Sequence, residues 1–139
     1  MTGYLVDTDV LSEPEKPKPH DGAITWLRAH EAELYTSAVV IGELAWGIQR
    51  LAAGKKRTDL TAWLHDRVIA RFDARILRFD TRVAVEWGAL QAALESRGRR
   101  MPWRDSVIAA TARRHTIAIA TRNVKDYKHA DVDVVNPFD

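Results

Sequence analysis

The chain contains no cysteine. That excludes disulfides and thiolate metal sites, and it fits a reducing compartment. No run approaches the roughly 18 to 20 consecutive apolar residues of a membrane span, and the first residues lack the basic-then-apolar layout of a secretory signal. A soluble cytoplasmic protein with no membrane partner is expected. There is no glycine-rich phosphate loop, and the histidines, His20, His30, His65, His115 and His129, fall at no zinc-binding spacing. Neither sign of charge dominates. Twenty-one Lys and Arg against 19 Asp and Glu leave a formal +2, which matters only where it is uneven.

It is uneven. Arg97, Arg99, Arg100 and Arg104 crowd one stretch, and Lys55, Lys56 and Arg57 form a second knot. With 139 residues, 46% of them apolar, the chain reads as one globular domain spanning 1–139. Strands are expected at Leu5–Val6, Leu34–Thr36, Ile76–Phe79, Ile117–Ala120 and, at an edge, Val132–Val135. Between them, helical spacing and caps predict helices from Asp21 to about Glu33, from Ser37 to Ala53, through Leu60 to Val68, from Thr81 to Ser96 under an Asp80 cap, and from Pro102 to His115. Pro14, Pro17 and Pro19 make the stretch after Glu13 an exposed connector. Strands alternating with helices imply an α/β fold with a parallel sheet covered on both faces.

The chemistry starts at Leu5-Val6-Asp7-Thr8-Asp9. A strand ending in acids delivers them to the carboxyl edge of the sheet, where open α/β folds bind ligands. Glu43 lies about 60° beyond the apolar stripe of its helix, with Gly47 one turn on; a pocket or close helix packing would each explain that glycine. Asp105 stands in the first turn of the helix opened by Pro102, a position that an acid also occupies merely to complement the helix dipole. Thr121 and Asn123 leave a later strand on the same edge as Asp7, and Asp126 follows. Carboxylates that converge repel one another unless a cation intervenes. Oxygen-only ligands suit Mg²⁺ or Mn²⁺, and metal-assisted phosphodiester hydrolysis is the reaction this inventory supports.

Four stretches carry a resemblance. Leu5-Val6-Asp7-Thr8-Asp9-Val10-Leu11-Ser12-Glu13, Ser37-Ala38-Val39-Val40-Ile41-Gly42-Glu43-Leu44, Pro102-Trp103-Arg104-Asp105-Ser106-Val107-Ile108-Ala109-Ala110-Thr111-Ala112 and Thr121-Arg122-Asn123-Val124-Lys125-Asp126-Tyr127 resemble, in order, the motifs of PIN-domain ribonucleases, in particular the VapC and FitB type toxins of toxin-antitoxin pairs. The resemblance implies a three-layer α/β/α sandwich, an endoribonuclease dependent on Mg²⁺ or Mn²⁺, a homodimer, and inhibition by a small antitoxin. Asp7, Glu43 and Asp105 match the family's three most regular acids. The family usually has Asn where this chain has Asp9, which makes Asp9 a surplus acid. Its later acid often stands where this chain has Asn123, so the fourth position lies between Asn123 and Asp126.

Two other readings stand beside it. Asp7-Thr8-Asp9 after a strand is similar to the opening of haloacid dehalogenase phosphatases, but Leu11 stands where that family wants Thr or Val. A PIN-like subunit with weak catalysis, acting with its antitoxin in a DNA-binding autorepressor complex, is the non-enzymatic alternative; operator DNA would then be met only through the antitoxin. The arginines 97, 99, 100 and 104 are expected to track RNA phosphates, which position a nucleic acid without specifying its sequence.

Overall fold

The computed structural model describes residues 2–139. Five strands, β1 (Tyr4–Val6), β2 (Leu34–Ser37), β3 (Ile76–Leu77), β4 (Ala118–Ala120) and β5 (Val134–Val135), form a parallel sheet in the order β3-β2-β1-β4-β5. Helices α1 (Thr8–Leu11), α2 (Asp21–Ala29), α3 (Ala38–Gln49), α4 (Lys55–Trp63), α5 (Ala70–Phe72), α6 (Thr81–Ser96) and α7 (Trp103–His115) flank it, in the three-layer α/β/α arrangement expected. The strands are short and apolar because they are covered: Leu5, Val6, Ile119 and Ala120 are all fully buried.

From the central β1 the chain adds β2 and β3 on one side, then crosses to lay down β4 and β5 on the other. The direction of winding therefore reverses between β1 and β4, and the loops leaving their carboxyl ends diverge to open a crevice. Leu5 pairs with Ile119 and Val6 with Ala120. The ladder runs one step further, with the Asp7 N–H donating to the Ala120 carbonyl at 2.9 Å. Thr36 Oγ1 donates to the Val6 carbonyl from the other side at 3.1 Å. Asp7 thus leaves a strand end fixed on both flanks.

Ser37 ends β2 by capping α3, its Oγ accepting from the Val40 N–H at 3.2 Å. Asp80 caps α6 in the same way through Val83 at 3.0 Å. Several boundaries differ from those expected. The third strand stops at Leu77, because β2 turns into α3 at Ser37 and leaves Arg78 and Phe79 no strand to pair with. α2 is capped by His20 rather than Asp21, the His20 Nδ1 accepting from Ala23 at 3.0 Å, and it ends at Ala29. α3 ends at Gln49. The helix through Leu60 and Val68 is α4 running through a π-helical turn, Leu64–Ile69, into α5.

α7 is the innermost helix. Every residue from Asp105 to Ala112 is buried, and Ala109, Ala110 and Ala112 let neighbouring elements approach it closely. α6 packs on it, and the Val83, Leu90 and Leu94 side chains of α6 are each buried to within 1%. Leu90→Ala should cost about 2–5 kcal/mol of unfolding free energy in urea titration. Val85→Ala, on the same helix but 71% exposed, should stay within about 0.5 kcal/mol.

Candidate active site

The crevice at the β1/β4 switch gathers side chains from the ends of β1 and β4, from α1, α3 and α7, and from the turn that carries Tyr127. Asp7 caps α1 and is only 2% exposed. Its carboxylate is saturated. Oδ1 accepts from the Thr8 N–H at 2.8 Å and from Arg104 Nη2, and Oδ2 accepts from Thr121 Oγ1 at 3.0 Å and from the Tyr127 hydroxyl at 3.2 Å. An ionised carboxylate has about four lone-pair sites; all are used, which is how a charge tolerates this depth.

Arg104 is the hub. Besides Asp7 it binds Glu43 with Nε and Nη2, the latter at 2.9 Å, and Asp105 Oδ1 with Nη1 at 2.8 Å. One guanidinium thus joins the end of β1, the flank of α3 and the first turn of α7. Thr8 Oγ1 also donates to Glu43. With the side chains as they lie, no three carboxylates or imidazoles among the described residues are close enough to share one small ion. What Asp7, Glu43 and Asp105 share is the Arg104 cation. The oxygen-only donor set and its excess negative charge fit a hard divalent ion, and Arg104 marks where positive charge is wanted.

The expected residues sort themselves accordingly. Asp7, Glu43, Asp105 and Thr121 meet in the crevice. Asp9 lies at the edge of the crevice, its Oδ2 accepting from the Arg122 N–H at 2.9 Å and its Oδ1 from Thr121 Oγ1 at 3.5 Å. Asn123 and Asp126 are exposed. The Asn123 N–H donates to Thr121 Oγ1 at 3.1 Å, and Asp126 sits in a 3-10 turn, Val124–Tyr127, opening at Asn123. A Cβ at Gly47 would meet nothing within 4 Å, so close helix packing is not the reason for that glycine. Arg97 is tied to the carbonyls of Ala93 and His129, whereas Arg99 and Arg100 are exposed.

Two contributors escaped the sequence reading. Tyr127 is 1% exposed in an otherwise exposed polar turn, and that contrast of a large aromatic among loop residues was the available signal. Thr8 lies between Asp7 and Asp9, and its hydroxyl partner, Glu43, is 35 residues away with no local mark of the pairing. Arg104, expected to track phosphates, sits on the acids themselves. A cation in the first turn of a helix opposes the dipole, so its presence there called for a partner outside the helix.

The charges bias one another. Burial pushes the Tyr127 hydroxyl upward, and the Asp7 charge adds to it, so Tyr127 stays a neutral donor. Burial works against the Arg104 charge, but hydrogen bonding to Glu43 and the Asp7 charge outweigh it and the guanidinium stays protonated. Burial likewise pushes Glu43 up, and hydrogen bonds from Arg104 and Thr8 reverse this to a net lowering. Asp105 goes the other way: burial raises it, the bond and charge of Arg104 oppose, and the Asp126 and Asp7 charges leave it raised. Asp9 is raised by burial and by Asp7 against the Arg122 N–H.

The two net shifts have opposite consequences. An acid raised in the fold binds its proton more tightly there than when unfolded, so stability falls as pH rises just above the ordinary aspartate range. Ionised Asp105 therefore works against the fold at neutral pH. The lowered Glu43 contributes stability that is present above the ordinary glutamate range and is lost as pH falls through its folded value. In calorimetry at pH 7 without added metal, Asp105→Asn should leave Tm unchanged or higher and Glu43→Gln should lower it. A large loss for Asp105→Asn would make Asp105 a structural cap.

A parallel sheet with acids at its switch point defines a class of α/β protein whose chemistry sits on the carboxyl edge, and within that class the relatives are specific. The chain belongs to the PIN domain family, which matches residues 4–133. It is 36% identical over 135 residues to Toxin FitB of Neisseria gonorrhoeae, covering 96% of this chain and 97% of that one. It is 33% identical to VapC ribonuclease Y4jK of Sinorhizobium fredii, covering 97% of each. A solved structure of FitAB bound to an IR36 DNA fragment superposes with a TM-score of 0.91 at 34% identity, over 100% of this chain and 96% of that one. VapBC2 from Rickettsia felis, bound to a promoter DNA fragment, shares the fold at a TM-score of 0.80 and 22% identity, over 98% of each chain. The expected resemblance to VapC and FitB type proteins holds over nearly the whole length.

Proposed function

We propose that this protein is a metal-dependent endoribonuclease, the toxin of a type II toxin-antitoxin pair. The observation that carries the reading is the convergence of Asp7, Glu43 and Asp105 at the switch crevice of a PIN domain matched over residues 4–133. The relatives' names, a toxin and a VapC ribonuclease, support it. Asp7, Glu43 and Asp105 would hold Mg²⁺ or Mn²⁺, with Asp126 or Asn123 as the fourth group and Asp9 and Thr121 as auxiliaries. When bound, such an ion activates water and stabilises negative charge developing on a phosphodiester.

The chain's own groups prepare that site. Thr121 and Tyr127 pin Asp7 Oδ2, and the Thr8 N–H pins one side of Oδ1, so the Asp7 carboxylate cannot rotate. The Thr8 hydroxyl orients Glu43 toward the same point. Asp126 adds charge at the rim, felt by Asp105, and exposed Arg99 and Arg100 offer phosphate contacts beside α7. Partners would be RNA, a cognate antitoxin and a second copy of the chain, with operator DNA reached through the antitoxin. Among the described residues no helix is long and apolar enough to cross a membrane.

The alternative is a catalytically weak subunit acting with its antitoxin in an autorepressor complex. It draws on the likeness to a complex solved on DNA.

Free of antitoxin, the purified chain should cleave total RNA in Mn²⁺ or Mg²⁺ and stop in chelator. Asp7→Asn should lower cleavage by at least about a hundredfold, the scale of losing one electrostatic stabiliser of a transition state. Equal cleavage by the variant would remove the assignment and favour the repressor reading. Replacing Arg99 and Arg100 by Ala should weaken RNA binding and make the log–log salt dependence shallower by about 0.7 per lost phosphate contact; an unchanged slope would leave both as ordinary surface charges.

A further inference from the structure

We propose that Arg104 is the resident counter-ion of the acid cluster, and that a divalent ion enters the crevice only by exchange with its guanidinium. The inference rests on the metal-site reading of Asp7, Glu43 and Asp105 and adds to it how that site is kept and how it is opened.

The Asp7 lone pairs single out the exchange point. Thr121 and Tyr127 occupy Oδ2 from buried positions, and the Thr8 N–H, part of the α1 cap, occupies one side of Oδ1. None of these can leave without dismantling the strand end or the turn that carries Tyr127. The remaining position on Oδ1 belongs to Arg104. The same guanidinium takes both oxygens of Glu43 and one of Asp105. An ion cannot join Asp7 to Glu43 while Arg104 holds both.

Arg104 is also placed to leave. Its side chain is 29% exposed, whereas that of Asp7 beneath it is 3% exposed, so it covers the acids from the solvent side. Its exit needs only rotation about its own side-chain bonds, because its backbone is fixed in the second position of α7. Nothing in the helix favours a cation there, since the dipole opposes it. The acids supply the attraction, and incompletely: one positive charge faces three carboxylates, with Asp126 close enough to act on Asp105. A divalent ion brings twice the charge in a smaller volume and is the better partner for that excess. Arg104 keeps the metal-free site from flying apart by repulsion, at the cost of competing with the ion.

The test is direct Mn²⁺ binding by isothermal titration calorimetry, with no RNA present, on wild type, Arg104→Gln and Arg104→Lys. Removing the competitor should tighten Mn²⁺ by about tenfold or more in Arg104→Gln, a change of about 1.4 kcal/mol, with Arg104→Lys in between because a point charge cannot span three carboxylates. The metal-free Tm of Arg104→Gln should fall, and saturating Mn²⁺ should raise it by more than it raises wild type. Wild type supplies a reading that needs no variant: Arg104 should be protected from phenylglyoxal in metal-free protein and become modified in Mn²⁺, as read by peptide mass spectrometry. Equal or weaker Mn²⁺ binding by Arg104→Gln, or an Arg104 whose modification ignores Mn²⁺, would overturn the exchange while leaving the metal site standing. Failure of wild type and Arg104→Gln alike to bind Mn²⁺ would instead overturn the metal-site reading, and the exchange with it.

Discussion

The constraint on which this molecule turns is the mutual repulsion of carboxylates forced into one crevice. Asp7, Glu43 and Asp105 come from positions 36 to 98 residues apart in the sequence, and the fold holds all three around a single guanidinium. Like charges at such range raise one another's proton affinity; Asp105 is raised first by its burial, with the Asp126 and Asp7 charges adding to it. The arrangement is tolerable because each acid has donors: four at Asp7, Arg104 and Thr8 at Glu43, Arg104 at Asp105. The crevice is therefore a strained electrostatic object held in place by a rigid scaffold.

That scaffold explains why the acids meet. Reversal of the winding direction between β1 and β4 leaves a gap that no crossover helix fills, and Asp7 and Thr121 are the residues that immediately follow those two strands. The buried helix α7 lies against α3 and β4, which brings Asp105 and Glu43 to the same gap. Tyr127 closes it from the turn after β4. Each contributor sits at an element terminus or flank, where a polar side chain reaches the crevice while its neighbours stay in the core.

How much of this the sequence revealed follows from the range of each interaction. Local signals carried the elements: the Ser37 and Asp80 caps, the apolar strands and the proline-led start of α7 are all matters of a few adjacent residues. Where a boundary was missed, a distant element decided it. Phe79 is β-forming in type, yet it has no strand beside it once Ser37 has turned away to cap α3. The acids at the strand end, on the helix flank and in the first turn were legible because periodicity predicts which edge or face a residue occupies. The destination of Arg104 was not legible. A side chain with four rotatable bonds has a long reach, and whether it goes to solvent or to carboxylates 61 and 97 residues away is set by tertiary structure alone. Tyr127 carried a local signal, a large aromatic in a polar turn, but its hydrogen bond to Asp7, 120 residues away, is a matter of tertiary structure.

Charge matching separates the acids that serve the fold from those gathered for chemistry. Away from the crevice, acids meet cations singly: Glu13 with Lys16 at 3.0 Å, Glu31 with Arg71 at 2.8 Å, Asp59 with Lys55 at 2.7 Å, and Glu86 with Arg113 at 2.8 Å. Asp80 is held below the usual carboxylate range chiefly by the Val83 N–H it caps. These arrangements are close to neutral or bonded to a helix terminus, and most are exposed enough that each adds little to stability. At the switch crevice the count is three to one, deeper in the protein, with Asp126 adding to the imbalance. A fold selected for stability alone would replace such a cluster with apolar side chains, a change that is often neutral or favourable for buried charges. Departures from local consistency concentrate where function requires them, and the excess negative charge around Arg104 is the largest such departure among the ion pairs of the described residues.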